Sequence, residues 1–164
     1  CMWPSESGEV FIGAADGAVY YGTSLEWATG EGVVNAGLEH GSAQFALTGD
    51  GGKVFRKTGG TWSEIATAGA LTEPAACAVY ANRLWVGGNG PELYAYDFAT
   101  QVWQQYATMA GWTAITDLMA FGGKLLVYGA GAGSVFRSLA ITNAHITGRF
   151  VDELALQIVD TEEA

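Results

Sequence analysis

Basic residues are scarce in this chain. Seven lysines and arginines stand against 17 acidic residues among 164, for a formal net charge of −10 at pH 7. A surface of that sign repels phosphate backbones, so direct nucleic-acid binding is not expected. It remains compatible with a place in a nucleoprotein particle, where an acidic wall keeps DNA from adhering. Long apolar runs are missing too: none approaches the roughly 20 residues that a membrane helix needs. Two cysteines, Cys1 and Cys77, are too few for a disulfide framework. Cys77 lies in AACAVYA and reads as a small core residue. Cys1 stands where an initiator Met would, which suggests a trimmed or partial chain; a lipid-modified cysteine is the alternative, and no signal peptide is visible. The histidines, His40 and His145, have no Cys or His partner at metal-ligand spacing and read as solvated or locally hydrogen-bonded. Prolines number only three, so the 24 glycines do not form a Pro/Gly linker. No stretch sustains a 3.6-residue period with caps, and little helix is expected. The best candidate, FVDELALQI at 150–158, fits helix and strand equally well.

What is present is apolar and turn-rich. Hydrophobic residues make up 49% of the chain and charged ones 15%, which argues for a folded domain with a substantial core. Glycines scattered between aromatic and β-branched runs point to many short strands. One pattern recurs four times: EVFIGAADGAVYYG (9–22), AQFALTGDGGKVFRK (43–57), RLWVGGNGPELYAY (83–96) and KLLVYGAGAGSVFRS (124–138). Each is an apolar strand, a short Gly/Asn/Asp bend, and a second strand with an aromatic near its start. Those aromatics are Tyr20, Phe55, Tyr94 and Phe136, in steps of 35, 39 and 42 residues. A second marker follows in three copies as Trp27, Trp62 and Trp103; the fourth has Phe150 after a longer insert. A further apolar run precedes copies two to four: GVVNAGLEH, AACAVYANR and AITDLMAFGG.

Three or four short strands in about 40 residues match the period of a propeller blade. A lone meander cannot bury both faces, but sheets stacked radially cover one another. The expected fold is therefore all-β: a single-domain β-propeller of about four blades, each of three to four antiparallel strands, over residues 1–164. The units run roughly 8–30, 31–69, 70–111 and 112–154. CMWPSESG precedes the first run directly, so unit one is expected to lack an inner strand. Residues 155–164 could supply it and close the ring within one chain. Alternatively, the chain is a piece of a longer propeller, or several chains combine into one.

These units resemble the kelch-like and Asp-box-like propeller repeats. TGDGGKVFRKTGGTW (48–62) comes nearest to an Asp-box, although the interval from Asp50 to Thr61-Trp62 is longer than that motif allows. The segment 115–150 also resembles propeller blades of bacteriophage tail nozzle and head-completion proteins. The matching residues are Phe121-Gly122-Gly123-Lys124-Leu125, Ser134-Val135-Phe136-Arg137-Ser138 and Phe150. That likeness implies a structural virion component and no particular chemistry.

Chemical candidates are few. Gly129-Ala130-Gly131-Ala132-Gly133 outlines a dinucleotide loop, but Ser134 replaces its third glycine and a β-like segment replaces its helix. It reads as a hairpin bend. Asp16 and Asp50 sit in Asp-Gly bends without the additional oxygen ligands of a calcium loop. A sialidase-like site would cluster arginines, yet Arg56, Arg83, Arg137 and Arg149 fall at different blade positions, with only Arg56 and Arg137 aligned. The acidic pairs near the end, Asp152-Glu153 and Asp160 with Glu162-Glu163, leave a glycosidase dyad open. There is no G-x-S-x-G elbow. Trp85 and Trp112 depart from the repeat and are the candidate ligand or partner contacts, since an exposed indole can stack on a sugar.

The expectation is a non-enzymatic structural or interaction propeller without cofactor or metal. Its partners would be proteins or further copies of itself, with a bacteriophage tail or head–tail location favoured. A carbohydrate-binding lectin, placed extracellularly, is the alternative, and a sialidase-like hydrolase is third.

Overall fold

The computed structural model describes residues 1–49, 52–65, 71, 73–131 and 136–142. Among these there are fifteen strands and no helix. They form four antiparallel meanders. The first sheet runs β1 (Met2–Pro4), β2 (Val10–Gly13), β3 (Ala18–Tyr21), β4 (Ser24–Ala28). The second runs β5 (Val34–His40), β6 (Ala43–Thr48), β7 (Val54–Thr58), β8 (Thr61–Ile65). The third runs β9 (Pro74–Tyr80), β10 (Arg83–Gly88), β11 (Gly90–Asp97), β12 (Val102–Thr108). The fourth has three described strands, β13 (Trp112–Phe121), β14 (Lys124–Gly131) and β15 (Phe136–Thr142). Successive sheets meet along their first strands, β1 on β5, β5 on β9 and β9 on β13, which makes each sheet a propeller blade.

Burial follows from that stacking. In the third blade the second strand is covered on both sides: Leu84 to Gly88 of β10 are all buried. The outermost strand is not, and β8 and β12 contain no buried residue. In the first blade the period-2 alternation is plain: Val10 and Ile12 are exposed while Phe11 and Gly13 are buried.

Three apolar clusters fill the three junctions. Between the first and second blades lie Trp3, Phe11, Val19, Val34 and Ala46, with Trp27 and Trp62 against them. Between the second and third lie Phe45, Leu47, Val54, Leu84, Val86 and Tyr94. Between the third and fourth lie Trp85, Leu93, Trp112, Ile115, Leu118, Leu125, Val127 and Ile141, with Ala76, Ala78, Ala95 and Met109. The repeat tryptophans are packing residues: Trp27 and Trp62 stack across two blades with centroids 4.7 Å apart and planes 9° from parallel.

Two details differ from the sequence reading. The first blade has its inner strand: Met2, Trp3 and Pro4 pair with Ile12, Phe11 and Val10. Three residues that include a proline carry little strand signal, but Trp3 anchors them by packing on Gly37, where a Cβ would sit 2.7 Å from the indole. The second difference concerns the glycine-rich stretch. It is a hairpin, as expected, yet Gly129 and Gly131 belong to β14 rather than to the bend. Gly129 pairs with Ile115 on one side and Arg137 on the other. A Cβ there would lie 2.3 Å from both Ala114 O and the Trp112 ring, so glycine is required for close approach, not for a turn. The closing strand expected at 155–164, the segment 150–158, Phe150 and Asp50 lie outside the described residues.

Candidate functional site

In an up-and-down meander, the start of the first strand, the bend between the second and third, and the end of the fourth lie at one end of the sheet. Among the described residues, the bends of the first and third units, after β2 and β10, therefore lie at the same end of their sheets. Asp16 builds the first bend, with Oδ1 accepting from Ala18 N at 3.0 Å. At this rim a cleft of about 250 Å³ opens where β5, β9 and β13 begin, smaller than the about 300–1,000 Å³ of ordinary ligand pockets. Its wall is Ala75, Gly88, Ala114 and Ile115. Its polar lining is Asn35, Glu73, Asn89 and Thr116.

Three of the cleft's four polar residues are engaged within or between blades. Asn35 Nδ2 donates to Pro74 O at 3.2 Å, tying the second blade to the third. Asn89 Nδ2 donates to Glu73 Oε2 at 2.8 Å, and Asn89 N donates to Glu73 O at 3.3 Å. Glu73 adopts a left-handed φ of 45°, an uncommon conformation for a non-glycine residue. The exposed Thr116 hydroxyl and the Glu73 carboxylate are what the cleft offers a visitor, which suits hydrogen-bond donors of small size. In the sequence Asn89 is marked only as part of the Gly/Asn/Asp bend of the third unit, and Glu73 and Asn35 carry no signal of their own.

The other candidates lie elsewhere. Trp85 is fully buried, donates Nε1–H to Tyr80 O at 2.9 Å and meets Tyr106 edge-on at 4.8 Å. Trp112 is 6% exposed and packs on Gly129. Both indoles belong to the cluster between the third and fourth blades, where neither shows a ring face to solvent. Arg56 lies over the Phe45 ring, 6.0 Å from its centroid. Arg83 pairs with Asp97 at 3.1 Å, at the opposite rim. His40 stacks on Phe98 of the next blade. Arg149, His145 and the acidic pairs at 152–153 and 160–163 lie outside the described residues, and of Arg137 only the strand register is described. Among the described residues, no group of three or more His, Cys, Asp or Glu is placed to hold a metal ion, and no helix is long and apolar enough to cross a membrane.

Electrostatics follow local structure. Burial pushes the half-buried Cys77 thiol up to about 12, with the Asp117 carboxylate adding to the effect. Burial likewise raises Tyr94 and Tyr106. Asp97 is held below the usual carboxylate range, first by the Thr100 backbone N–H and then by Ala99 N–H and Arg83. Lys53 is raised by its hydrogen bond to Glu31, with Glu64 nearby. Lys57 reaches from the second blade to Glu26 of the first.

No family model and no curated protein matches the chain. Solved structures do. The chain is similar to the computationally designed Ika4 protein at TM-score 0.64 and 18% identity, over 85% of this chain and 89% of that one. It is similar to the computationally designed Ika8 protein at TM-score 0.58 and 20% identity, over 85% of this chain and 45% of that one. The WD40 β-propeller domain of Doa1 matches at TM-score 0.63 and 12% identity, over 82% of this chain and 47% of that one. The chain thus spans about nine-tenths of the first and under half of the other two. At such identities the likeness establishes the β-propeller fold.

Proposed function

We propose that this chain is a non-enzymatic interaction propeller of a bacteriophage virion, in the tail or at the head–tail junction. The observation that carries the reading is where the reactive side chains go. Lys53, Lys57, Arg56, Arg83, His40, Asn35 and Glu73 all meet partners within or between blades. Side chains so engaged support a scaffold, and function then resides in the outer surface. The likeness of 115–150 to tail and head-completion blades supports the virion location, and the charge of −10 suits a component that must not adhere to packaged DNA.

The test is mass-spectrometric identification of the chain in purified particles from its source, followed by immunogold labelling. Label on the tail or neck supports the reading, and absence from particles contradicts it. A glycan array run on the same protein tests the lectin alternative. Binding of a defined glycan by the wild-type chain would favour that alternative, and no binding across the array would contradict it.

A further inference from the structure

The blade faces come in two kinds. Faces that meet a neighbouring blade are buried, and three such junctions join four blades. That leaves one face of the first blade and one of the fourth without a blade against them among the described residues. Both are apolar. On the first blade, a cross-strand row runs Met2, Ile12, Tyr20, Leu25 through all four strands, opposite the Trp3–Phe11 side. Met2 is 74% exposed and Leu25 61%, and Val10 stands exposed beside them. On the fourth blade, Met119 pairs with Leu126 and, across β14, Ala140. Met119 is 47% exposed and Phe121 72%, on the side away from Leu118, Leu125 and Val127. Among the described residues these faces do not cover each other: β1 and β13 lack the extended contact that β1 makes with β5 or β9 with β13. A contiguous apolar row of this kind on a sheet face marks an interaction surface.

We propose that the two terminal faces are docking surfaces for a second copy of this chain. The first blade of each copy packs on the fourth blade of the other, and two chains close one larger propeller ring. The junction would continue the interface already repeated three times in the fold. A head-to-tail contact of this type closes into a ring when its rotation allows, and two copies give two identical junctions. The size of the ring agrees with two of the three solved propellers: the chain covers 45% of one and 47% of another, so each holds about as much chain again, whereas the third is about the length of a single chain. This inference stands independently of the virion assignment.

Light scattering and native mass spectrometry of the full chain provide the test. The expected mass is about 34 kDa, twice the 17.2 kDa of one chain. Ile12→Lys and Met119→Glu each place a charge in both junctions, and each alone should halve the mass while leaving the β-sheet circular dichroism spectrum unchanged. Mixing the two variants creates one Lys–Glu junction and one native junction, and should restore the double mass. Val102→Lys, on the exposed outer strand β12, should leave the mass unchanged. A 17.2 kDa wild type would overturn the proposal, because the faces are then covered within the chain or stay bare. A double mass insensitive to both face variants, or a larger assembly, would overturn it equally.

Discussion

The junction between the first and second blades and the junction between the third and fourth solve one packing problem with different chemistry. The first is narrow and mixed. Five buried residues form its centre, and its rim holds the Trp27–Trp62 stack and the Lys57–Glu26 pair. The other has twelve buried residues, among them two indoles, two isoleucines and three leucines. Apolar area dominates stability, whereas an ion pair at the rim, such as the partly covered Lys57–Glu26, contributes on the order of 1 kcal/mol. The third and fourth blades should therefore form the stable half of the molecule and the first blade the labile end.

Breaking the larger junction should have the largest effect. Trp85→Ala removes a fully buried indole and is expected to cost about 3–5 kcal/mol, read as a fall in the denaturant midpoint. Gly129→Ala sets a Cβ against the Trp112 ring and Ala114 O, and should cost about 1–3 kcal/mol. Trp112→Leu should recover part of that loss if the clash with the indole is its cause. In the smaller junction, a double-mutant cycle on Trp27 and Trp62 should return a coupling of only about 0.5–1.5 kcal/mol.

Alkaline pH probes the middle junction, against which Cys77 packs. Its thiol is raised from 9.0 to about 12, so the fold favours the protonated form. That stability is complete below pH 9.0 and is lost as pH rises toward 12. Tyr94, also raised, acts in the same direction. Denaturation curves across this window should show falling stability, with a shallower fall in Cys77→Ala. In the native protein a thiol reagent should modify the exposed Cys1 well before Cys77. The smallest effect belongs to the β9–β10 turn, where Ala81 and Asn82 hold left-handed φ of 50° and 58°. Ala81→Gly should stabilise by at most about 1 kcal/mol.

The repeat was legible because each blade places an aromatic and a small-residue bend at nearly constant spacing, and blades pack by the same rule. Roles that depend on a neighbouring blade were not legible. Gly129 resembles a bend residue until Trp112 is known to lie on it. Trp85 and Trp112 leave the repeat register, and only the stacking of the third and fourth blades shows that they are interior. Met2–Pro4 is a strand because Trp3 packs on Gly37, 34 residues further along the chain, and no local signal reports that. The Glu73–Asn89 contact rests on a left-handed backbone that composition cannot announce.

Amide hydrogen exchange resolved by strand measures the difference between the stable and the labile half. Slowest exchange is expected in β10 and β14, intermediate exchange in β6, and fastest exchange among paired strands in β1 and β4 of the first blade. Uniform protection across the four blades, or slowest exchange in the first, would contradict it.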